Sequence, residues 1–240
     1  MGFLGVIWEG IKTVGSFIVE GVKDFIPKVG PFLSGVAEKI GVVFDKLKVG
    51  IEKAATILGN IITNFVSPIL NVFGIKTPDN PDELGMKAEA SDKNLDDFGD
   101  DTEAYIKYLQ EEIKIDKERL NNLTPQEKIR YRTVSLGIEA KAAGDKLGVN
   151  LPAEGIPVLQ KISEGTNIVF TGEQLVSIIK NLKESNTDLT DVIKYLEGSN
   201  SVSAIKVGDA VEKALSSANV DNVGKTIIEM KKAQNNEIKD

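Results

Sequence analysis

The chain has 240 residues with 29 basic and 36 acidic side chains, and it contains neither cysteine nor histidine. That composition excludes disulfides, Cys- or His-ligated zinc, Cys or His nucleophilic dyads and Ser-His-Asp triads. The net charge of −7 argues against a general nucleic-acid binder, so no nucleic-acid partner is predicted.

Charge and apolar residues are divided unevenly. Residues 1–76 carry eight lysines and six acids, a net of +2, and the remainder carries 21 bases and 30 acids, a net of −9. Seven of the nine phenylalanines, the single tryptophan and eleven of the 22 glycines lie before residue 76. A slightly cationic apolar segment joined to an acidic body fits an anionic membrane surface better than nucleic acid.

The opening Met1-Gly2-Phe3-Leu4 is not expected to be a secretory signal, because it lacks a basic start and Glu9 interrupts the apolar run. Val6 stands where a myristoylation pattern needs Ser or Thr. Ile7-Trp8-Glu9-Gly10-Ile11-Lys12 returns eleven residues later as Ile18-Val19-Glu20-Gly21-Val22-Lys23. Eleven residues make about three helical turns, so both blocks fall on one face. Leu4, Ile7, Ile11, Val14, Ile18 and Phe25 form the apolar stripe, and an amphipathic helix is predicted over 3–26, ending near Pro27.

A second helix is predicted over 35–66, after Ser34 as N-cap and with Pro68 disrupting its end. Ala37, Phe44, Ile51, Leu58 and Phe65 share one heptad position, and Ile40, Leu47, Ala54 and Ile61 share the position three later. Asp45 and Lys46 fall on the polar side. Leu4, Ile7, Trp8, Ile11, Ile18, Phe25, Phe44, Leu47, Ile51, Leu58, Ile61 and Phe65 are therefore the expected membrane- or partner-facing residues.

Residues 54–75 carry no charge and are flanked by Lys53 and Lys76. Twenty-two residues suffice to span about 30 Å of hydrocarbon. Thr56, Asn60, Thr63, Ser67 and Asn71 nevertheless mark a polar stripe, which suits a wet lumen or an amphipathic hairpin better than a lone lipid-embedded span. Three readings stand open for residues 1–75: the core of an all-α domain, membrane insertion or surface binding, and burial against an assembly component. The frequent glycines weaken helices by ~1 kcal/mol each and permit close helix approach, which favours a membrane or assembly role.

Thr77-Pro78-Asp79-Asn80-Pro81-Asp82 is a break, and residues 76–100 read as an acidic linker. The acids Asp96-Asp97-Phe98-Gly99-Asp100-Asp101 lack the alternating ligands and distal glutamate of a calcium loop. Residues 101–240 read as a soluble helical domain. Thr102–Leu123 repeats apolar residues at helical spacing, and Thr124-Pro125-Gln126-Glu127 is a capping box that starts the next helix, which Gly148 closes. Shorter helices are predicted over 157–164, 172–184, 188–197, 203–218 and 222–234, with starts at Thr171, Thr187 or Asp188, Ser201 and Asp221. Their expected core is Leu175, Ile178, Ile179, Leu182, Val192, Ile193, Leu196, Val207, Val211, Leu215, Ile227 and Ile228. Ile168-Val169-Phe170 has strand composition but no evident partner.

Gly224-Lys225-Thr226 resembles the end of a phosphate loop, but Asn219 stands where its first glycine belongs. Ser177-Ile178-Ile179-Lys180 and Ser203-Ala204-Ile205-Lys206 lack the companion motifs of Ser-x-x-Lys chemistry. No catalytic constellation, cofactor site or metal site is predicted.

The blocks Gly-Val-Ile-Trp-Glu-Gly-Ile-Lys and Phe-Ile-Val-Glu-Gly-Val-Lys resemble helical segments of phage tail tape-measure proteins and of membrane-penetrating virion or pilot proteins. The resemblance covers residues 3–75. It implies helices that line a tube or enter a host membrane, and a virion-associated or membrane-associated location. The same texture occurs in membrane-lytic peptides. The expectation is an all-α, non-enzymatic protein: an N-terminal apolar amphipathic helical hairpin over 1–75, a linker over 76–100, and a C-terminal bundle of short helices. It would act as a membrane-interacting, self-associating component of a phage-like particle or delivery machine, a homo-oligomer or assembly subunit. The alternatives are a secreted pore-forming or membrane-disrupting toxin and a soluble helical scaffold.

Overall fold

The computed structural model describes residues 13–151 and 169–235, and among these every regular element is helical. In chain order the helices are α1 (Val14–Gly21), α2 (Phe32–Leu47), α3 (Ile51–Val72), α4 (Glu83–Ala90), α5 (Thr102–Glu112), α6 (Lys117–Asn121) and α7 (Pro125–Leu147). The C-terminal group is α8 (Gly172–Glu184), α9 (Leu189–Leu196), α10 (Ala204–Ser217) and α11 (Val223–Asn235). The all-α expectation holds. Val169 and Phe170 form no strand, and the helix predicted over 157–164 lies outside the described residues.

α7 is the axis of the molecule. It starts at the predicted capping box, where the Thr124 hydroxyl accepts from the Glu127 amide at 3.3 Å and the Glu127 carboxylate accepts from the Thr124 amide at 2.9 Å. It stops at Gly148, whose φ of +62° reaches the left-handed region that closes a helix. Every residue from Thr133 to Ala140 is buried, so the helix is covered on all sides. The covering comes from α1, α2, α3, α4 and α5. The N-terminal third is thus one wall of a core shared with α7, and the buried apolar residues of both form one continuous cluster.

α1 and α2 cross closely because glycine meets glycine. A Cβ on Gly41 would stand 2.9 Å from the Gly15 carbonyl oxygen, so even alanine would push the two backbones apart. Asp45 of α2, placed by its spacing on the polar side, accepts from the Gly15 amide at 2.8 Å and from the Thr13 hydroxyl at 3.1 Å. It caps the start of α1.

Several predicted boundaries are corrected. The helix expected over 35–66 is two helices. The chain turns at Lys48, with φ at +50°, and runs extended at Gly50, so the heptad seam does not cross from α2 to α3. Pro68 does not end α3, which continues to Val72. The helix expected near Pro27 breaks earlier, at Val22, and two short helical turns, Lys23–Phe25 and Ile26–Val29, lead to α2. The single pattern over 102–123 divides into α5 and α6, because residues 113–116 are non-helical before Asp116 caps α6.

Residues 76–100, expected as a linker, are built into the fold. α4 buries Leu84, Met86 and Ala88 against α7, and Leu95 is buried beyond it. The C-terminal helices match their predicted spans closely. Thr171 and Asp188 cap α8 and α9 as expected, while Ser203 rather than Ser201 caps α10. Of their predicted core, Ile178 and Ile227 are half-buried and Ile228 is 55% exposed. The group joins the rest through α8, which packs on the C-terminal end of α3.

Candidate functional site

The predicted contact residues and the predicted polar stripe meet on α3. From Ile57 onward its large buried apolar residues are Ile57, Leu58, Ile61, Ile62, Phe65, Val66, Ile69 and Leu70, adjacent pairs that recur every four residues. An α-helix turns every 3.6 residues, so such a stripe would drift by about 40° per turn. The drift is absorbed at Ile62–Val66, where one π-helical turn carries the Ser67 amide back to the Ile62 carbonyl. The wide turn also relieves the clash that Pro68 would otherwise make with the carbonyl four residues earlier. Both halves of α3 therefore keep one apolar face on α7 and the C-terminal group.

Ile18, Phe25, Phe44, Leu58 and Ile61 are at most 1% exposed, and Phe65 is 4% exposed. Leu47 and Ile51 are half-buried. All eight face the interior or its margin in this folded form. Leu4, Ile7, Trp8 and Ile11 lie outside the described residues. On the polar stripe, Thr56, Thr63 and Asn71 are exposed and Asn60 is half-buried. Ser67 alone turns inward, and its hydroxyl donates to the Glu139 carboxyl of α7 at 2.8 Å.

Glu139 is 1% exposed. Burial among apolar groups pushes its carboxyl up to about 8, against a smaller opposing effect of the Ser67 hydrogen bond. The carboxyl is thus largely neutral at and below neutral pH. It lines neither of the hollows described next, so it has no evident access to a substrate.

A cavity of about 60 Å³ lies between the end of α3 and the C-terminal group, lined wholly by apolar side chains including Phe65, Ile69, Phe170, Leu175, Val211 and Leu215. A wider groove of about 660 Å³ runs beside α2 and the C-terminal half of α7, past Phe32, Val36, Lys39, Ala140, Lys141 and Asp145. Neither brings together a nucleophile and a base. No group of three or more Asp or Glu residues is placed to hold a metal among the described residues. Of the weighed motifs, Thr226 is buried against the Asp221 carbonyl and so is not presented to a phosphate, and Lys225 is a surface side chain 3.6 Å from Glu229.

Sequence reasoning missed the role of the arginines. The chain has only Arg119, Arg130 and Arg132, and all three fasten the stretch expected as a linker. Arg132 donates from Nε and Nη2 to the buried Asp82 carboxylate at 2.7 and 3.0 Å, and from Nη1 to the Ala55 carbonyl of α3 at 2.6 Å. Its planar fork makes this three-way tie, which the point charge of lysine cannot reproduce. Arg130 pairs with Glu89 at 3.1 Å. Arg119 donates to the Tyr131 hydroxyl, which donates in turn to Glu89, both at 2.7 Å. Burial and then the Glu89 hydrogen bond push the Tyr131 hydroxyl up to about 12. The signal present in the sequence was the clustering of scarce arginines within fourteen residues in a lysine-rich chain.

No known protein family, curated protein or solved structure matches this chain.

Proposed function

We propose that the protein works as a non-enzymatic helical component of a larger assembly, folded in water with its apolar N-terminal third packed as the sheath of its own central helix. The inward burial of Ile18, Phe25, Phe44, Leu58, Ile61 and Phe65 carries this reading. Withdrawing six such side chains from a core costs on the order of 10 kcal/mol. The net stability of an ordinary domain is about 5–15 kcal/mol. The fold and lipid insertion of these residues are therefore alternatives, not one state. The resemblance of residues 3–75 to tape-measure and virion segments makes a phage-like particle or delivery machine the assembly in view.

One observation favours a second reading, release of the N-terminal third into a membrane by a delivery or pore-forming protein. α3 has 22 residues and a mean hydropathy of 1.3 over its most apolar 18-residue stretch, of which 56% is buried in the fold. That length matches a hydrocarbon core of about 30 Å. Flotation of the full chain with liposomes containing anionic lipid separates the two readings. The water-folded reading expects the protein to stay in the dense fraction at neutral pH with unchanged helicity. Co-flotation with lipid would discard it in favour of membrane entry.

A further inference from the structure

The cavity between the end of α3 and the C-terminal helices is larger than close packing leaves behind. Protein interiors hold few voids bigger than one water molecule, and one water needs about 10–15 Å³. This cavity measures about 60 Å³. Its wall draws on five helices, with Phe65 and Ile69 from α3, Leu175 from α8, Val192 from α9, Ala214 from α10 and Met230 from α11. Among the described residues no polar side chain lines it, so water inside would give up hydrogen bonds and gain none. An empty void also costs its lining the dispersion contacts that a filled one makes. The occupant that recovers them is hydrocarbon.

A second hollow, of about 430 Å³, adjoins the cavity. Leu151, Ile179, Leu182 and Leu189 border both. Lys183, Asn186, Thr187, Asp188 and Asp191 make the rest of its wall largely polar, and Lys183, Asn186 and Asp188 are exposed to solvent. The Lys183 ammonium donates to the Leu147 carbonyl at the end of α7 at 3.2 Å. Asp188 accepts from the Asp191 amide at 2.8 Å as the cap of α9. Base and acid thus stand in one hollow, each already tied to a helix end.

We propose that cavity and hollow together bind an unbranched alkyl chain with an uncharged hydroxyl end, its methyl end in the cavity and its hydroxyl in the hollow. Size decides against a ring. A void of about 150 Å³ accommodates benzene, and this one has less than half that volume. Charge decides the other end. A carboxylate would meet Asp188 and Asp191, and an ammonium would meet Lys183. A hydroxyl both donates and accepts, so it finds a partner beside either sign. The hollow falls within the ~300–1,000 Å³ of ligand pockets, which pair apolar walls with a few polar groups. Met230 adds a flexible, polarisable wall that adapts to a chain. A small-molecule site adds to the assembly role and does not rest on it.

Titration of the full chain with n-octanol, without lipid, tests this. Of the three methionines, Met230 lines the cavity, while Met86 is buried on α4 and does not. With isotope-labelled methionine methyls, the Met230 resonance should shift and saturate, and the Met86 resonance should stay fixed. From n-butanol to n-octanol, affinity should rise about fourfold per methylene. Octanoate, octylamine and benzyl alcohol should each bind at least tenfold more weakly than n-octanol. Ala214→Leu fills the cavity from a fully buried position and should weaken n-octanol at least tenfold with helicity retained. Val192→Ile adds a single methyl group to the same wall, and should weaken it severalfold even if the larger change disturbs the fold. A Met230 resonance that stays fixed up to the solubility limit of n-octanol overturns the proposal, and so does a shift without saturation. Affinity within twofold of the wild type in folded Ala214→Leu and Val192→Ile overturns it as well. Octanoate or octylamine binding as tightly as n-octanol overturns the uncharged end, and benzyl alcohol binding as tightly overturns the unbranched chain.

Discussion

Glu139 sits among apolar neighbours with one hydrogen bond, from Ser67. Its folded-state value of about 8 stands above the ordinary 4.5. A carboxyl raised on folding supports the fold fully below pH 4.5, and that support is lost as pH rises from 4.5 through 8. At about 1.4 kcal/mol per pH unit, the loss reaches about 3 kcal/mol by pH 7. Glu139→Gln keeps the shape and removes the ionisation. Its melting denaturant concentration should equal that of the wild type near pH 4, exceed it increasingly up to pH 8, and run parallel beyond. A constant difference between the two across this range would show that Glu139 does not titrate as its surroundings dictate. Sequence reasoning did not find this residue, because Glu139 on an isolated helix is an ordinary polar position. Its burial comes from the N-terminal third folding over α7, a contact more than seventy residues distant in the chain. Asp45 was missed for the same reason, since its partners Thr13 and Gly15 belong to another helix.

Among the elements, signals that act within a few residues were the legible ones. Thr124, Thr171 and Asp188 cap their helices as their spacing indicated, and Gly148 ends α7. The error lay in α3, where a heptad was read through Lys48–Gly50 although the buried pairs recur every four residues. A four-residue repeat fits neither an α-helix nor a heptad supercoil, and it requires a wide turn such as Ile62–Val66. Inserting one alanine after Thr63 adds a residue that the single wide turn does not absorb, and rotates Ser67–Val72 by about 100° relative to the first half. Ile69 and Leu70 then leave the core, at about 1.5–3 kcal/mol each. Thermal melting followed by circular dichroism should show a loss of about 3–6 kcal/mol. Thr63→Ala, which only removes an exposed hydroxyl, should change stability by less than about 1 kcal/mol. An insertion variant as stable as Thr63→Ala would mean that the π-turn does not set the phase of α3.

For the molecule as a whole, the sequence showed a sharp boundary near residue 76 that the fold does not respect. Composition separates an apolar third from an acidic body, but packing makes the third the wall around α7. The arginines then bind the acidic stretch to both, with Arg132 reaching Asp82 and Ala55 at once. Removing residues 1–75 therefore takes away α1, α2 and α3 together. It uncovers the sides of α7 on which α1, α2 and α3 pack, takes the Ser67 hydrogen bond from Glu139, and leaves the Arg132 guanidinium without its Ala55 acceptor. Uncovering apolar surface on that scale exceeds the ~5–15 kcal/mol by which domains are stable. The truncated chain 76–240 should accordingly lose its sharp melting transition and bind a hydrophobic dye, although α8–α11 can retain helicity. Adding residues 1–75 in trans should restore the transition if the wall and the axis recognise each other through the contacts seen here. A truncated chain that melts as sharply and as high as the full one would show that residues 76–240 own an independent core, and that the apolar third is free to act elsewhere.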